Sequence, residues 1–297
     1  MRVFVALITL VIVLRPAVLW GDDPILRDLV SPGVQVVEGK RVPLIAPTPR
    51  AVSDKNEIQR ILTSAAGDRL LEEFLRPSPV APFNLKMESL TTSDEKRYAQ
   101  KVDVWFVAYG KLATLRDKKL LDELAATADA ETKSAYRAEG GEVTPDMLEK
   151  LGVKLLESET EREGFASFSS PLLDRVLVSG VVHTWQTVTQ DQMMVSSLLD
   201  DRFASISALA NRWQSIADNG TEKPSLGPHQ PYIGFGGYLA ATQLSEPAGA
   251  LLIEAHVVFH EPEGWFRGAN LLRSKLPIAI QEQIRTFRRK LAAAEKQ

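Results

Sequence analysis

The stretch 250-ALLIEAHVVFH-260 decides how this chain folds. Leu251, Ile253, Ala255, Val257 and Phe259 share one parity, while Glu254, His256 and His260 share the other. Alternation with a period of two, in a run rich in β-branched and aromatic residues, is the pattern of a strand. The spacing of His256 and His260 would put both imidazoles on one face of a helix, a zinc-binding arrangement. On a strand they stand about 13 Å apart, too far to share one ion, so no metal site is expected. Downstream, 275–295 reads as a long amphipathic helix. Ser274 is a candidate cap, Pro277 sits in the first turn, and Ile280, Ile284, Phe287 and Leu291 form one apolar stripe. Arg285, Arg288, Arg289 and Lys290 suit the negative end of its dipole. The stripe is expected to dock on the protein's own sheet, with a membrane-surface helix as the alternative.

Upstream, 232–244 is a second strand, joined to the first by Ser245-Glu-Pro-Ala-Gly249. So short a connection makes the pair antiparallel. Residues 171–200 also keep a period of two, and a turn at Gln190-Asp-Gln192 divides them into two strands. Val102-Asp-Val-Trp-Phe-Val-Ala-Tyr109 centres a fifth strand, 98–111, apolar at both parities and so expected to be buried on both faces. Between these, 116–163 reads as helical and charged. Leu120, Leu121, Leu124 and Ala128 make a stripe there, and Thr144-Pro145-Asp146 opens a second helix beyond Gly140-Gly141. Residues 53–76 also read as helix, with Asp54 as a cap and Ile58, Ile61, Leu62 and Ala65 at helical spacing. Pro32, Pro43, Pro47 and Pro49 make 22–52 an irregular arm. Its valines suggest packing on the body or an added edge strand, and a flexible linker is the alternative.

The fold class is therefore α+β: an antiparallel sheet of about five strands with inserted helices and a long C-terminal amphipathic helix. The expected division is a signal peptide at 1–21, a proline-rich arm at 22–52, a helical segment at 53–97 and an α+β domain at 98–297.

The leader is read from Met1-Arg2, the apolar run VFVALITLVIVL from Val3 to Leu14, and Gly21 ahead of Asp22-Asp23. A basic start, a short apolar core and a small residue before acids are the marks of a secretory signal peptide. The run is too short to span a bilayer, and Arg15 ends it. An uncleaved anchor is the alternative. The mature chain is expected to be periplasmic or extracellular and to touch the membrane only through its leader. Loss of Arg2 and Arg15 takes the formal net charge from −3 to −5. No basic block suits a phosphate backbone, so no nucleic-acid partner is expected. The chain has no cysteine, which excludes thiol nucleophiles, thiolate metal sites and disulfides.

No motif identifies a reaction, no catalytic residue is assigned and no cofactor is expected. Gly234-Phe-Gly-Gly-Tyr238 lacks the Gly-Lys-Ser/Thr end of a phosphate loop and reads as a bulged or tightly packed strand. Asn219-Gly-Thr221 reads as a turn. The candidate binding residues are His183, Trp185, Glu254, His256, His260 and Trp265. His183 lies on a strand and can face the same side as His256 and His260; that side is expected to be mixed and partly solvated. Trp265-Phe266, in the loop before the last helix, either lines a pocket mouth or caps the core.

Four phrases resemble a family of uncharacterised exported proteins of planctomycete-type bacteria, a likeness that implies no activity. They are Val80-Ala-Pro-Phe83, Val102 to Gly110, Asn211-Arg-Trp213 and Gly264-Trp-Phe-Arg-Gly-Ala-Asn-Leu-Leu-Arg-Ser-Lys275. In element order, over 98–295, the chain is similar to the helix-grip fold of START-like lipid carriers. That likeness implies a curved sheet wrapped on the last helix around an apolar cavity. The function expected first is a non-catalytic exported binding or envelope protein holding an apolar small molecule between sheet and helix. The alternatives are a structural protein contacting an envelope partner through the arm, and a hydrolase using a histidine–carboxylate pair.

Overall fold

The computed structural model describes residues 23–48, 55–67, 70–117, 119–120, 123–124, 136, 139–158, 160–217, 224–266 and 271–296. The expected leader, the cap Asp54, the turn at 219–221 and the stripe residues Leu121 and Ala128 lie outside them.

Helix α1 (Pro24–Val30) opens the described chain, followed by the hairpin β1 (Val34–Val37) and β2 (Lys40–Val42). Helices α2 (Lys55–Ala66) and α3 (Leu71–Phe74) lead into β3 (Asn84–Thr91) and β4 (Arg97–Tyr109). Then come β5 (Glu139–Glu142), α4 (Pro145–Lys150), β6 (Glu161–Leu172), β7 (Val176–Val188) and β8 (Gln192–Leu199). The short strands β9 (Arg212–Ala217), β10 (Ser225–Leu226) and β11 (Gln230–Pro231) precede β12 (Phe235–Gln243), β13 (Ala250–His260) and α5 (Leu271–Ala294).

Eleven strands form one antiparallel sheet, not about five. Its body runs β6-β7-β8-β12-β13-β4-β3, with β5 on the edge of β6 and β9 beside the start of β7. The five expected strands are present, and β13 has the expected bounds. Six more lie where none was expected: β3 inside the segment read as helical, β5 within and β6 at the end of the run read as charged helix, and the short β9, β10 and β11 between 212 and 231. Gly140 and Gly141 belong to β5 rather than to a helix break. Of the expected helix beyond them, one turn and a half survives as α4, with Pro145 at its start and Leu148 buried.

Both faces of the sheet are covered. On the first, Val102, Val104, Phe106, Leu251, Ile253 and Val257 meet Ile280, Ile284, Phe287 and Leu291 of α5 in the main core. Phe287 packs edge-on against Phe106, ring centres 5.7 Å apart. The stripe read from the sequence is therefore the docking surface. Helix α5 begins a turn earlier than expected, so Pro277 is interior and Ser274 is no cap. Arg288 does not serve the dipole. It is buried and donates to the carbonyls of Val107 (2.8 Å), Ala81 (2.5 Å) and Pro82 (3.0 Å). Burial lowers its pKa to about 10, still charged at neutral pH.

The second face carries the arm. Ile25, Leu26, Leu29, Val34, Val36 and Val42 cover Ala99, Met194, Tyr238, Ala240 and Val258. The arm is thus packed, not a flexible linker, and its prolines do not exclude helix: Pro24 occupies the first turn of α1, where its missing N–H costs nothing. Glycines make the approach close. A Cβ on Gly234 would lie 2.5 Å from the Val36 Cα, and one on Gly236 would lie 2.7 Å from Leu29 and Val34. Farther along the same face, Leu62, Ala65 and Phe74 of α2 and α3 cover Trp105, Val107 and Leu252.

Phe287→Ala should cost about 3–5 kcal/mol in chemical denaturation, the usual cost of deleting a buried phenyl ring. A change below about 1 kcal/mol, the scale of a surface substitution, would contradict the docking of α5.

Candidate functional site

Cross-strand register lines up Trp185, Ser196, Tyr238, His256, Asp103 and Lys86 in one row across the arm-covered face. His256 is fully buried, not partly solvated. Its Nδ1 lies 2.8 Å from Asp103 Oδ1, and its Nε2 lies 4.0 Å from Glu254 Oε1 without a hydrogen bond. Trp105 Nε1 donates to Glu254 Oε1 at 3.3 Å. The other oxygen of Glu254 accepts the Thr48 backbone N–H at 3.1 Å. Tyr238 donates its hydroxyl to the Ile45 carbonyl at 2.7 Å, and Gln192 donates to the carbonyl of Thr48 at 3.3 Å. Burial, reinforced by the carboxylates of Glu254 and Asp103, keeps the Tyr238 phenol protonated. The polar side chains of this face thus hold down residues 45–48, and the Trp105 and Tyr238 rings pack on the buried imidazole, each 4.9 Å from it.

Asp23 fixes the other end of the arm. Its carboxylate caps α1 through the Leu26 N–H (2.8 Å) and accepts the Ser196 hydroxyl (2.8 Å).

The remaining candidates are dispersed. His183 faces the same side as His256 but sits on β7, three strands away. It pairs with Glu163 at 2.7 Å and stacks on Phe165 at 4.4 Å. Burial lowers its pKa against the pull of Glu163. Trp185 is buried beneath the arm. His260 stacks on Tyr232 with ring centres 5.9 Å apart, and burial lowers its pKa to about 4. Trp265 stacks on Tyr232 and meets Trp213 edge-on inside the main core, so it caps the core. Extended β13 holds His256 and His260 about 13 Å apart. Among the described residues no three His, Cys, Asp or Glu side chains are placed to hold a metal ion.

The helix-covered face is different. Leu239 lies on β12, between β8 and β13, with buried Val195 and Ala255 beside it in register, yet it keeps exposed surface. Leu85, Met87, Phe168 and Leu199 on the same face are also only partly buried. Gln186 and Ser197 face this side too, and sequence reasoning passed over both. The signal was available: Gln186 shares the parity of Val182 and Val188, a polar residue in an apolar set. A pocket of about 150 Å³ opens beside this core, between α5 and residues 80–83, lined by Phe83, Ile284 and Arg288.

These features define an α+β protein of helix-grip-like architecture, with an antiparallel sheet gripping a long C-terminal helix. No protein-family model matches the chain, and no curated protein matches it in sequence. Among solved structures it is similar to human STARD10 at 11% identity and a TM-score of 0.30, over 82% of this chain and 83% of that one.

The Asp23 carboxyl is pushed up from 3.8 to about 6, chiefly by burial. Its folded-state pKa exceeds the unfolded one, so its contribution is full at low pH and is lost as pH rises from about 4 to about 6. Two units correspond to about 3 kcal/mol. The stability of the wild type relative to Asp23→Asn should fall by about that much across this window, as read by denaturation at each pH. The His260 contribution runs the other way and cancels in the difference. A difference independent of pH would refute the buried placement of Asp23.

Proposed function

We propose that this protein is a non-catalytic carrier that holds an apolar small molecule between its sheet and α5. The observation that carries the reading is Leu239, apolar and in the middle of the sheet, yet not sealed by the helix lying across its face. Leu85, Met87, Phe168 and Leu199 extend that incompletely buried surface. A helix docked only to complete a core would leave such positions filled. A small molecule with a hydrocarbon body supplies the missing contacts, and the gain is proportional to the apolar area it covers.

The leader expected at 1–21 supports an exported carrier, and a chain without cysteine fits a bacterial periplasm or envelope better than a eukaryotic secretory lumen. N-terminal sequencing of protein from its native source should then find a start near Asp22. The hydrolase reading draws on His183 and Glu163, since His256 is closed off beneath the arm. Neither imidazole is hydrogen-bonded to a hydroxyl that would serve as nucleophile.

Native mass spectrometry of protein purified without detergent should show the chain carrying one added molecule that organic solvent extracts. A chain that arrives empty and takes up none of a panel of long-chain lipids would overturn the proposal.

A further inference from the structure

Polar side chains on the helix-covered face differ in how far they are satisfied; Ser170 Oγ on β6, 1% exposed, is one without a partner. At one end Gln100 is satisfied: its Nε2 donates to Glu261 at 2.5 Å, and its Oε1 accepts the Ser89 hydroxyl at 3.0 Å. At the other end, on β7 and β8, Gln186 and Ser197 are not. Gln186 is 5% exposed and Ser197 2% exposed, and the Gln186 Nε2 and the Ser197 Oγ have no hydrogen-bond partner. Ser197 pairs with Thr184, and Gln186 pairs with Val195, so the two are diagonal neighbours on one face. That places them about 7–8 Å apart at the backbone, within reach of one group of oxygens. Gly164 and Gly237 stand at the two ends of the Thr184–Ser197 row and add no side chain to this face. A buried donor left unpaired is costly, and folded chains rarely tolerate two together.

We infer that Gln186 and Ser197 form the polar end of the ligand site and select an uncharged lipid bearing ester or hydroxyl oxygens. This inference rests on the carrier reading above. The Gln186 amide offers N–H donors, and the Ser197 hydroxyl both gives and accepts, which suits a mixed set of carbonyl and hydroxyl oxygens. The site is unsuited to an anion. The cations of this space are already engaged: Arg162, directly opposite Gln186, pairs with Glu142 at 2.9 Å, Arg97 pairs with Glu261, and Arg288 of α5 donates to the carbonyls of Val107, Ala81 and Pro82. A carboxylate or phosphate would lose its hydration for two neutral donors.

The test uses the full chain, stripped of bound lipid and titrated with three probes of similar chain length: monooleoylglycerol, oleate and octadecene. Monooleoylglycerol should bind at least about tenfold more tightly than either of the others, equivalent to about 1.4 kcal/mol. In the double variant Gln186→Leu, Ser197→Ala that preference should vanish while octadecene binds as well as before. The variant removes unpartnered polar atoms, so the unliganded protein should be no less stable than the wild type. Octadecene and monooleoylglycerol binding equally well to the wild type would overturn this inference and leave the carrier reading standing. Preference for oleate, or a preference that survives in the double variant, would do the same. Binding of none of the three would remove the carrier reading and this inference with it.

Discussion

The central strands of this protein are buried on both sides, and everything else follows from that. In β13 ten of eleven residues are buried, and β4 beside it is nearly as closed. A sheet of this kind cannot leave either face in water, because each exposed face would forfeit the burial that holds the strands together. The chain answers with its two ends. Helix α5 covers one face, while the arm, with α2 and α3, covers the other. Neither cover has a comparable partner of its own, so sheet, arm and helix form a single cooperative body.

The two covers treat polar groups differently. Beneath the arm, carboxylates, amides and a phenol meet backbone groups of residues 45–48, and the apolar contacts of α1 and β1 close around them. Those polar groups position a segment. Beneath α5 the contacts are nearly all apolar, and unpartnered polar atoms occur under both covers: Trp185 Nε1 and His256 Nε2 beneath the arm, Ser170 Oγ, Gln186 Nε2 and Ser197 Oγ on the helix side. Of these, Gln186 and Ser197 lie beside the incompletely buried Leu239 and Leu199.

How much of this was legible depended on where the information lay. Strands with β-branched residues at both parities, such as β4 and β13, were read almost to the residue. Strand β6 was not, because Glu161-Arg-Glu163 looks like a helix surface and Gly164, Ser167, Ser169 and Ser170 dilute its alternation. It is a strand because twelve of its residues pair with β7, a tertiary effect no local pattern records. Strand β5, Glu-Gly-Gly-Glu, has no apolar residue at all and exists only as an addition to β6. The same limit governed the candidate site. The shared parity of Glu254 and His256 was visible, but the burial of that face was not, since its cover comes from residues roughly two hundred positions away. Asp103 and Tyr238 entered only through strand register.

Those separations have a consequence for how the molecule is made. Asp23 meets Ser196 across 173 residues, Ile45 meets Tyr238 across 193, and Thr48 meets Glu254 across 206. A ribosome delivers the arm long before β12 and β13 exist. Contacts of such range form slowly, because the loops they close must be ordered before any stabilisation is gained. A segment that emerges early is therefore among the last to find its place. Until it does, one whole side of the sheet is open to solvent and to other nascent chains.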